Sequence, residues 1–364
     1  MSEIKVTTSA VQTQGYSIAI GTGLLSSVLS DVEKQFGKTG KFVVTDENVA
    51  SAGHLETLLS GRTIPTFVIR PAGETSKNIS TVVEIVEEME REYLGRDTVV
   101  LALGGGTAGD IAGFAAAIFK RGVPVIQIPT TTVAQADSAV GGKTGVDSTV
   151  SKNAFGAFWQ PAGVHIDVAT LKTLDDRQFR AGLVESVKHA LIADAEYFGF
   201  LESNLDRILQ REMDVLEQVA YSNCRIKAAI VQADPTEKNQ RRILNYGHTI
   251  GHAVESASGF ELLHGESVAI GLMAAGLIEI ELGFGSRERL EKVRKILSRL
   301  GVPTALPENI SKNSLIETIR HDKKAINKWP KFVLIDIIGA VHCQEGQWAV
   351  DVRQEVVEKV LGKL

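Results

Sequence analysis

The chain holds only two cysteines, Cys224 and Cys343, far apart in its 364 residues. A pair so placed makes no disulfide framework and fits a reducing compartment, so both read as ordinary buried or partly buried thiols. Long apolar runs are missing too. No stretch approaches the ~18 residues that a bilayer span needs, and the start, "MSEIKVTTSA", has no apolar signal core. The expectation is a cytoplasmic protein, neither secreted nor inserted in a membrane. Charge of one sign is also scarce: the formal net charge is -5, and Lys and Arg are scattered rather than blocked, which excludes a nucleic-acid footprint. Any anionic ligand must then be held by a local cluster of cations.

What is present is a globular composition, 44% hydrophobic and 23% charged, with length enough for two domains that each bury a core. The first half alternates short β-branched runs with helical patterns: "KFVVT" then 48–59, "TFVIR" then 78–92, "TVVLAL" then 110–119, and "PVIQIP". Such alternation predicts a parallel sheet covered by helices on both faces. The loops after these strands, "DEN", "PAGETSKN", "GGGTAGD" and "TTTVAQADS", should line one crevice at the carboxyl ends. Beyond about residue 175 the pattern turns to amphipathic helix, with one late β-like pair near "KFVLIDIIG" and "QWAVDV". This predicts a Rossmann-like α/β domain over 1–175 and a mainly α-helical domain over 176–364. No repeat or low-complexity segment is evident, and "GGKTGVDSTVSKN" and "GVPTALPEN" read as the most mobile pieces.

"GGGTAGD" satisfies G-x-G-x-x-G through Gly104, Gly106 and Gly109, between a strand and a helix, as a phosphate cradle or as a tight turn alone. Asp46 is placed either for ribose hydroxyls or as a helix N-cap. Glu74 and Lys77 could equally be a solvated helix start. "NYGHTIGHAVE" puts Asn245, His248 and His252 at i, i+3 and i+7 on one helical face, and "LLHGES" adds His264. A divalent metal needs a third ligand and an open position, for which Glu185 in "AGLVESVKH" is the best carboxylate; its alternative is a surface ion pair with Lys188. HExxH is absent, which argues against a zincin protease. Lys143, Lys152, Arg121, Lys227, Arg241 and Lys323 stand as cations able to converge on a phosphorylated acid. Glu237 in "DPTEKNQRR" could share proton-transfer work with His252 if both face one crevice, or lie in a solvated turn.

In their order, "DENV", "PAGETSK", "GGGTAGDIAGF", "QIPTTTVAQADSAVGGKTGVD", "KNAFGAFWQP", "AGLVESVKH", "RRILNYGHTIGHAVES", "LLHGESVAIGL" and "HDKKA" resemble the 3-dehydroquinate synthase family of sugar-phosphate cyclases over nearly the whole chain. The resemblance implies an N-terminal domain for NAD, a helical C-terminal domain carrying zinc or cobalt, and catalysis between them. Carried over by motif, NAD would meet Asp46, Asn48, Glu74, Lys77, Gly105, Gly106, Thr107, Asp110, Thr130, Thr131, Lys152 and Thr173. The metal would sit on Glu185, His248 and His264. Substrate would be held by Asp137, Lys143, Asn153, Lys188, Lys227, Arg241, Asn245, His252 and Lys323, with Arg121 reaching the partner subunit of a homodimer. Glu237 and His252 match the family's proton acceptors, with Lys143 and Asn245 beside them as catalytic candidates.

The implied reaction is a phosphate-eliminating lyase step of the shikimate pathway toward chorismate and the aromatic amino acids. It converts 3-deoxy-D-arabino-heptulosonate 7-phosphate to 3-dehydroquinate and phosphate by transient oxidation with NAD, β-elimination, re-reduction and aldol closure. Thr107 replaces a usual aliphatic residue, Asp147 a usual asparagine, and "ESVKH" the commoner "EVIKY" type; none of these removes a proposed ligand. The rivals are a cyclase for another sugar phosphate, a metal-dependent polyol or glycerol-phosphate dehydrogenase, and a non-enzymatic nucleotide-binding module.

Overall fold

The computed structural model describes residues 15–320 and 329–364. Its main sheet is built from β1 (Ile18–Gly21), β2 (Lys41–Asp46), β3 (Thr66–Ile69), β4 (Val99–Gly104), β5 (Val125–Pro129) and a last strand at Gly163–Asp167, in the order β1, last strand, β5, β4, β2, β3. Every pairing is parallel. The central strands β4 and β5 are buried at every residue, which is why they read as continuous apolar runs rather than alternating ones.

The sheet's two faces collect different partners. Phe42, Val44, Val100 and Ala102 pack with Val82 and Ile85 of α4 (Ile79–Arg91) and Ile111, Ala112 and Ala115 of α5 (Gly106–Ile118). Val43, Leu101, Leu103 and Ile126 pack instead with Val28, Leu29 and Val32 of α1 (Val28–Phe36) and with Leu58 of α3 (His54–Leu59), which follows α2 (Glu47–Ser51). The four anticipated strands are all present. The sheet has two further strands at its other end, β1 and the Gly163–Asp167 strand, both too short and too weakly patterned to stand out in the sequence.

The "GGKTG" stretch is a correction. It was expected to be mobile, yet it forms an antiparallel hairpin of β6 (Lys143–Val146) and β7 (Phe155–Phe158), after which the Gly163–Asp167 strand is β8. Gly145 lies opposite Gly156, and a Cβ on Gly145 would meet Phe155 O at 2.5 Å, so the glycines that suggested a loop are what lets these strands close.

After residue 175 the chain is helical: α6 (Asp176–Ala193), α7 (Ala195–Leu209), α8 (Met213–Ala233), α9 (His248–Ala257), α10 (His264–Glu281), α11 (Arg287–Leu300), α12 (Lys312–Arg320) and α13 (Gln354–Leu361). Helix α10 is apolar on nearly all sides and runs through the middle of this core. The late β-like pair is realised as a small hairpin, β9 (Ile335–Ile337) with β10 (Ala340–Val341), plus a single antiparallel bridge from Phe332 to Val350. Cys224 is buried, whereas Cys343 is exposed rather than partly buried. Among the described residues, no helix is long and apolar enough to cross a membrane.

Candidate active site

Three helices bring the metal candidates together. Glu185 lies in the middle of α6, His248 is the first residue of α9 and His264 the first of α10. Close helix approach makes this possible: a Cβ on Gly265 would fall 1.8 Å from Ala181 O, and one on Gly271 would fall 2.0 Å from Gly247 O. Glycine at these two points lets the backbone of α10 rest against α6 and against the start of α9.

The Nε2 atoms of His248 and His264 stand 3.6 and 3.4 Å from Glu185 Oε1. His248 Nδ1 donates to Tyr246 O at 3.1 Å; since a carbonyl can only accept, the proton is on Nδ1 and the Nε2 lone pair faces the carboxylate. Neither Glu185 oxygen receives an aligned hydrogen bond, although Lys188 Nζ is 2.5 Å from Oε2. Lone pairs so gathered in a buried place repel unless a cation lies among them. Ions bound at ~2.0–2.1 Å by tetrahedral N and O ligands hold those ligands roughly 3.3 Å apart, close to the separations found here. The ion pair of Glu185 with Lys188 therefore exists, but deep in the core and not on the surface.

Electrostatics agree with a ligand role for Glu185 and His248; burial would lower His264, but the Glu185 and Glu255 carboxylates facing it raise it to about 10, so an ion there would have to displace its proton. Burial alone would raise Glu185, but Lys188, His248 and His264 together outweigh it and hold the carboxyl well below the usual range. Burial, aided by Lys188, holds the His248 imidazole well below its ordinary value and so neutral.

Beside this cluster, a single π-helical turn, Ala134–Ser138, carries Asp137. Asp137 Oδ1 is 2.9 Å from Lys227 Nζ and 3.5 Å from His189 Nε2, and Lys227 also donates to the Asp137 carbonyl. Arg241 is buried, with Nη1 and Nη2 donating to Pro235 O (2.7 Å) and Gly141 O (2.8 Å) while Nε lacks a partner. Glu237 pairs with Lys143 and accepts from Asn245 Nδ2 at 2.8 Å, from a left-handed backbone (φ 57°) that is strained for a non-glycine. Asn245 corrects the helical-face reading: it ends a 3-10 turn, Gln240–Asn245, and only His248 and His252 share α9. The exposed His252 ring is 5.2 Å from that of His248 and 5.9 Å from that of His264. Arg121 is exposed at the far end of α5, roughly 20 Å of helix from the glycine turn. Lys323 lies outside the described residues.

The strand-end loops do converge. Gly105 is the N-cap of α5 with no side-chain cap, leaving the first N–H groups of a 13-residue helix open. A Cβ on Gly104, Gly105 or Gly106 would meet Ala108 Cβ at 2.6 Å, Thr131 Cγ2 at 3.0 Å or Ser138 Oγ at 3.0 Å. Asp46 does cap α2, its Oδ1 accepting from the exposed Asn48 and from Val49 at 3.0 Å each, while its Oδ2 lies 3.3 Å from the place of a Gly104 Cβ. Thr107 Oγ1 donates to Glu74 Oε2 at 3.1 Å. Lys77, far from solvated, is buried, 2.8 Å from both Asp110 Oδ2 and Asn153 Oδ1. The buried Thr130 hydroxyl has no partner, and those of Thr131 and Thr173 are within hydrogen-bonding distance of Ala134 N (3.2 Å) and His54 Nε2 (2.7 Å).

Sequence reasoning missed Glu255. On α9 it follows His248 by seven residues, the helical spacing that was used for the histidines and stopped one step early. It lies 3.4 Å from His264 Nδ1 and 3.0 Å from Lys152 Nζ, and Lys152 is also 3.0 Å from Glu74. Burial would raise Glu255, but His264 and Lys152 bring it down to about 2.

A parallel sheet with an uncapped glycine turn, facing a helical half with a carboxylate and two imidazoles around one point, is the design of the sugar-phosphate cyclases. The chain superposes on 2-epi-5-epi-valiolone synthase from Streptomyces hygroscopicus subsp. jinggangensis 5008, solved with NAD+ and Zn2+, with a TM-score of 0.87 and 28% identity over 98% of this chain and 99% of that one. For 2-deoxy-scyllo-inosose synthase, solved with carbaglucose-6-phosphate, NAD+ and Co2+, the TM-score is 0.85 at 27% identity, over 95% and 96% of the two chains. Within that class, residues 67–181 match the family model "3-dehydroquinate synthase N-terminal" and residues 182–325 its C-terminal counterpart. The 3-dehydroquinate synthase of Symbiobacterium thermophilum is 44% identical over 85% of this chain and 88% of its own. The chain belongs to the 3-dehydroquinate synthase family, and it is an enzyme with that family's lyase activity.

Proposed function

We propose that the cleft between the strand-end loops and helices α6, α9 and α10 is the active site of this lyase, with its residues in the roles that follow. The reaction converts 3-deoxy-D-arabino-heptulosonate 7-phosphate to 3-dehydroquinate and phosphate. NAD and a divalent ion, zinc or cobalt, are its cofactors, as the two solved cyclases carry them. When bound, they supply a reversible hydride acceptor and a Lewis acid for a substrate hydroxyl.

The chain's own groups fit both. Glu185, His248 and His264 would hold the ion, and the observation that carries this reading is the buried Glu185 Oε1, which receives no hydrogen bond and faces the Nε2 atoms of both imidazoles, while Lys188 stands at Oε2. The pyrophosphate would lie on the α5 N-terminus, at a turn whose close packing against Ala108, Thr131 and Ser138 admits only glycine at 104 to 106. Asp46, Asn48, Glu74, Lys77, Thr107, Asp110, Thr130, Thr131, Lys152 and Thr173 complete the nucleotide surface. Lys143, Lys188, Lys227 and Arg241, with the neutral Asn153 beside them, give the cleft the positive lining that a phosphorylated acid needs, in a chain whose net charge is negative; Lys323 is assigned to the substrate by the resemblance alone. Asp137 keeps Lys227 and His189 aimed at one place. Glu237, held by Lys143 and Asn245, and His252 at the cleft mouth take up and return protons.

Two finer assignments belong to the same reading. We place the domain boundary at 175/176, between the 3-10 turn Val168–Thr173 and α6. The assembly is a homodimer, because Arg121 is exposed beside the apolar Ile118, and Phe155 and Phe158 of the nearby hairpin are exposed as well; sedimentation of the purified protein tests it.

The decisive experiment supplies the heptulosonate phosphate with and without a chelator. Phosphate and 3-dehydroquinate should appear in equal amounts, with no net NADH, and only when metal is present. Stoichiometric NADH would mean a dehydrogenase instead.

A further inference from the structure

We propose that Glu255 is a positioning residue that couples the nucleotide cradle to the metal centre, by facing His264 with one oxygen and Lys152 with the other. This rests on the metal and nucleotide assignments above and adds to them a thermodynamic link between the two sites.

The link is an unbroken series of contacts between the two halves of the chain. Thr107, in the first turn of α5, donates to Glu74 Oε2 at 3.1 Å. Glu74 Oε1 is 3.0 Å from Lys152 Nζ, which is 3.0 Å from Glu255 Oε1. Glu255 Oε2 is 3.4 Å from His264 Nδ1, and His264 Nε2 is 3.4 Å from Glu185 Oε1. Lys152 also lies over the Phe260 ring, 4.6 Å from its centroid, so its position is set from α9 and the turn beyond it as well as from the first half.

Glu255 suits this place for two reasons. A carboxylate facing Nδ1 keeps the proton on that nitrogen and leaves Nε2 free to ligate, the usual arrangement behind a metal-bound imidazole. It also has two acceptor oxygens, one for each cationic neighbour. An amide has a single acceptor and cannot serve His264 and Lys152 together. Whatever draws Lys152 and Glu74 into place at the nucleotide turn therefore also fixes Glu255 against His264. Linkage then requires that NAD and metal each tighten the other's binding by the same factor.

The test measures Zn2+ affinity of the metal-stripped full chain against a chromophoric chelator, with and without saturating NAD. For the native chain, NAD should tighten Zn2+ binding by about fivefold or more. Glu255→Gln should weaken Zn2+ binding by about 10- to 100-fold and abolish the NAD effect. Lys152→Met, with NAD raised until calorimetry shows it bound, should lose the NAD effect on Zn2+ affinity, although the contact of Glu255 with His264 is left in place. It gives the answer even if Glu255→Gln does not fold.

Zn2+ affinity indifferent to NAD in the native chain would overturn the proposal, as would native coupling in either variant. His248→Ala separates the layers of the argument. If it retains stoichiometric Zn2+, the metal assignment itself fails; if it loses Zn2+ while Glu255→Gln behaves as native, only the coupling fails.

Discussion

In the proposed reading, the glycine turn and the Glu185–His248–His264 cluster would recognise opposite charges by opposite means. At Gly104 to Gly106 the working groups would be backbone N–H donors, and the sequence contributes the lack of a side chain; a Cβ at any of the three would press on Ala108, Thr131 or Ser138 and shift the turn. At Glu185, His248 and His264 the working groups are side chains carried deep between helices, and the sequence contributes countercharges such as Lys188 and Glu255. The first kind of site is sensitive above all to volume at the turn itself. The second is sensitive to charge and can be upset from positions that touch no ligand.

The largest expected effect comes from the charged side. His264→Ala should lower kcat/KM by about a thousandfold or more, because the metal would lose one of three protein ligands, while NAD still binds, weakened by no more than the coupling factor of about fivefold, by calorimetry. Retained turnover would remove His264 from the ligand set. An intermediate effect comes from a buried carboxylate in the same helical core. Glu279 on α10 is fully buried, accepts from Ile335 N at 2.8 Å and Arg289 Nη2 at 2.5 Å, and is pushed up by burial to about 7. Its folded value lies above its ordinary 4.5, so its contribution to stability is full below that value and is lost as pH rises through about 7. Glu279→Gln does not titrate. Its stability relative to the native chain, read by urea denaturation, should therefore improve by about 2–3 kcal/mol from about pH 5 to about pH 8; a difference that ignores pH would show that Glu279 does not ionise in that range.

The smallest effect tests the volume-sensitive side. Gly105→Ala would press a methyl toward Thr131 Cγ2 at 3.0 Å and should weaken NAD binding about tenfold, about 1.4 kcal/mol, with Zn2+ affinity unaltered. Native NAD affinity in this variant would mean that the turn is only a turn.

How legible each part was follows from the same contrast. The strands β2, β4 and β5 were readable because burial on both faces makes them continuous apolar runs, and α6 and α7 because their apolar positions recur at helical spacing; α10, read as amphipathic, is apolar on nearly all sides instead. β1 and β8 were not, since four or five residues at one end of a sheet carry too little pattern. The β6–β7 hairpin was hidden by its own glycines, which propensity assigns to loops and a close strand pair also requires. Helical periodicity placed His248 and His252 correctly and failed for Asn245, because the chain turns at Tyr246 and Gly247 before α9 begins. That Lys188 and Glu185 pair in the core could not be read locally; three-residue spacing looks the same on a wet face and a dry one. Asp147, noted as an unusual residue, accepts from Asn153 N at 2.6 Å and so pins the loop that carries Lys152.

The last strand of the sheet belongs to both halves at once. Val164 and Ile166, with Val168 just beyond the strand, share their apolar cluster with Phe179, Leu183 and Leu216, and Ala139 and Val140, just after the π-helical turn, join the same cluster. A gene truncated after residue 175 would thus yield a product with one greasy flank bare to water, prone to clump or to be degraded. The two modules are drawn separately on a sequence map, but they mature as one piece, and swapping either between relatives would require exchanging the seam along with it.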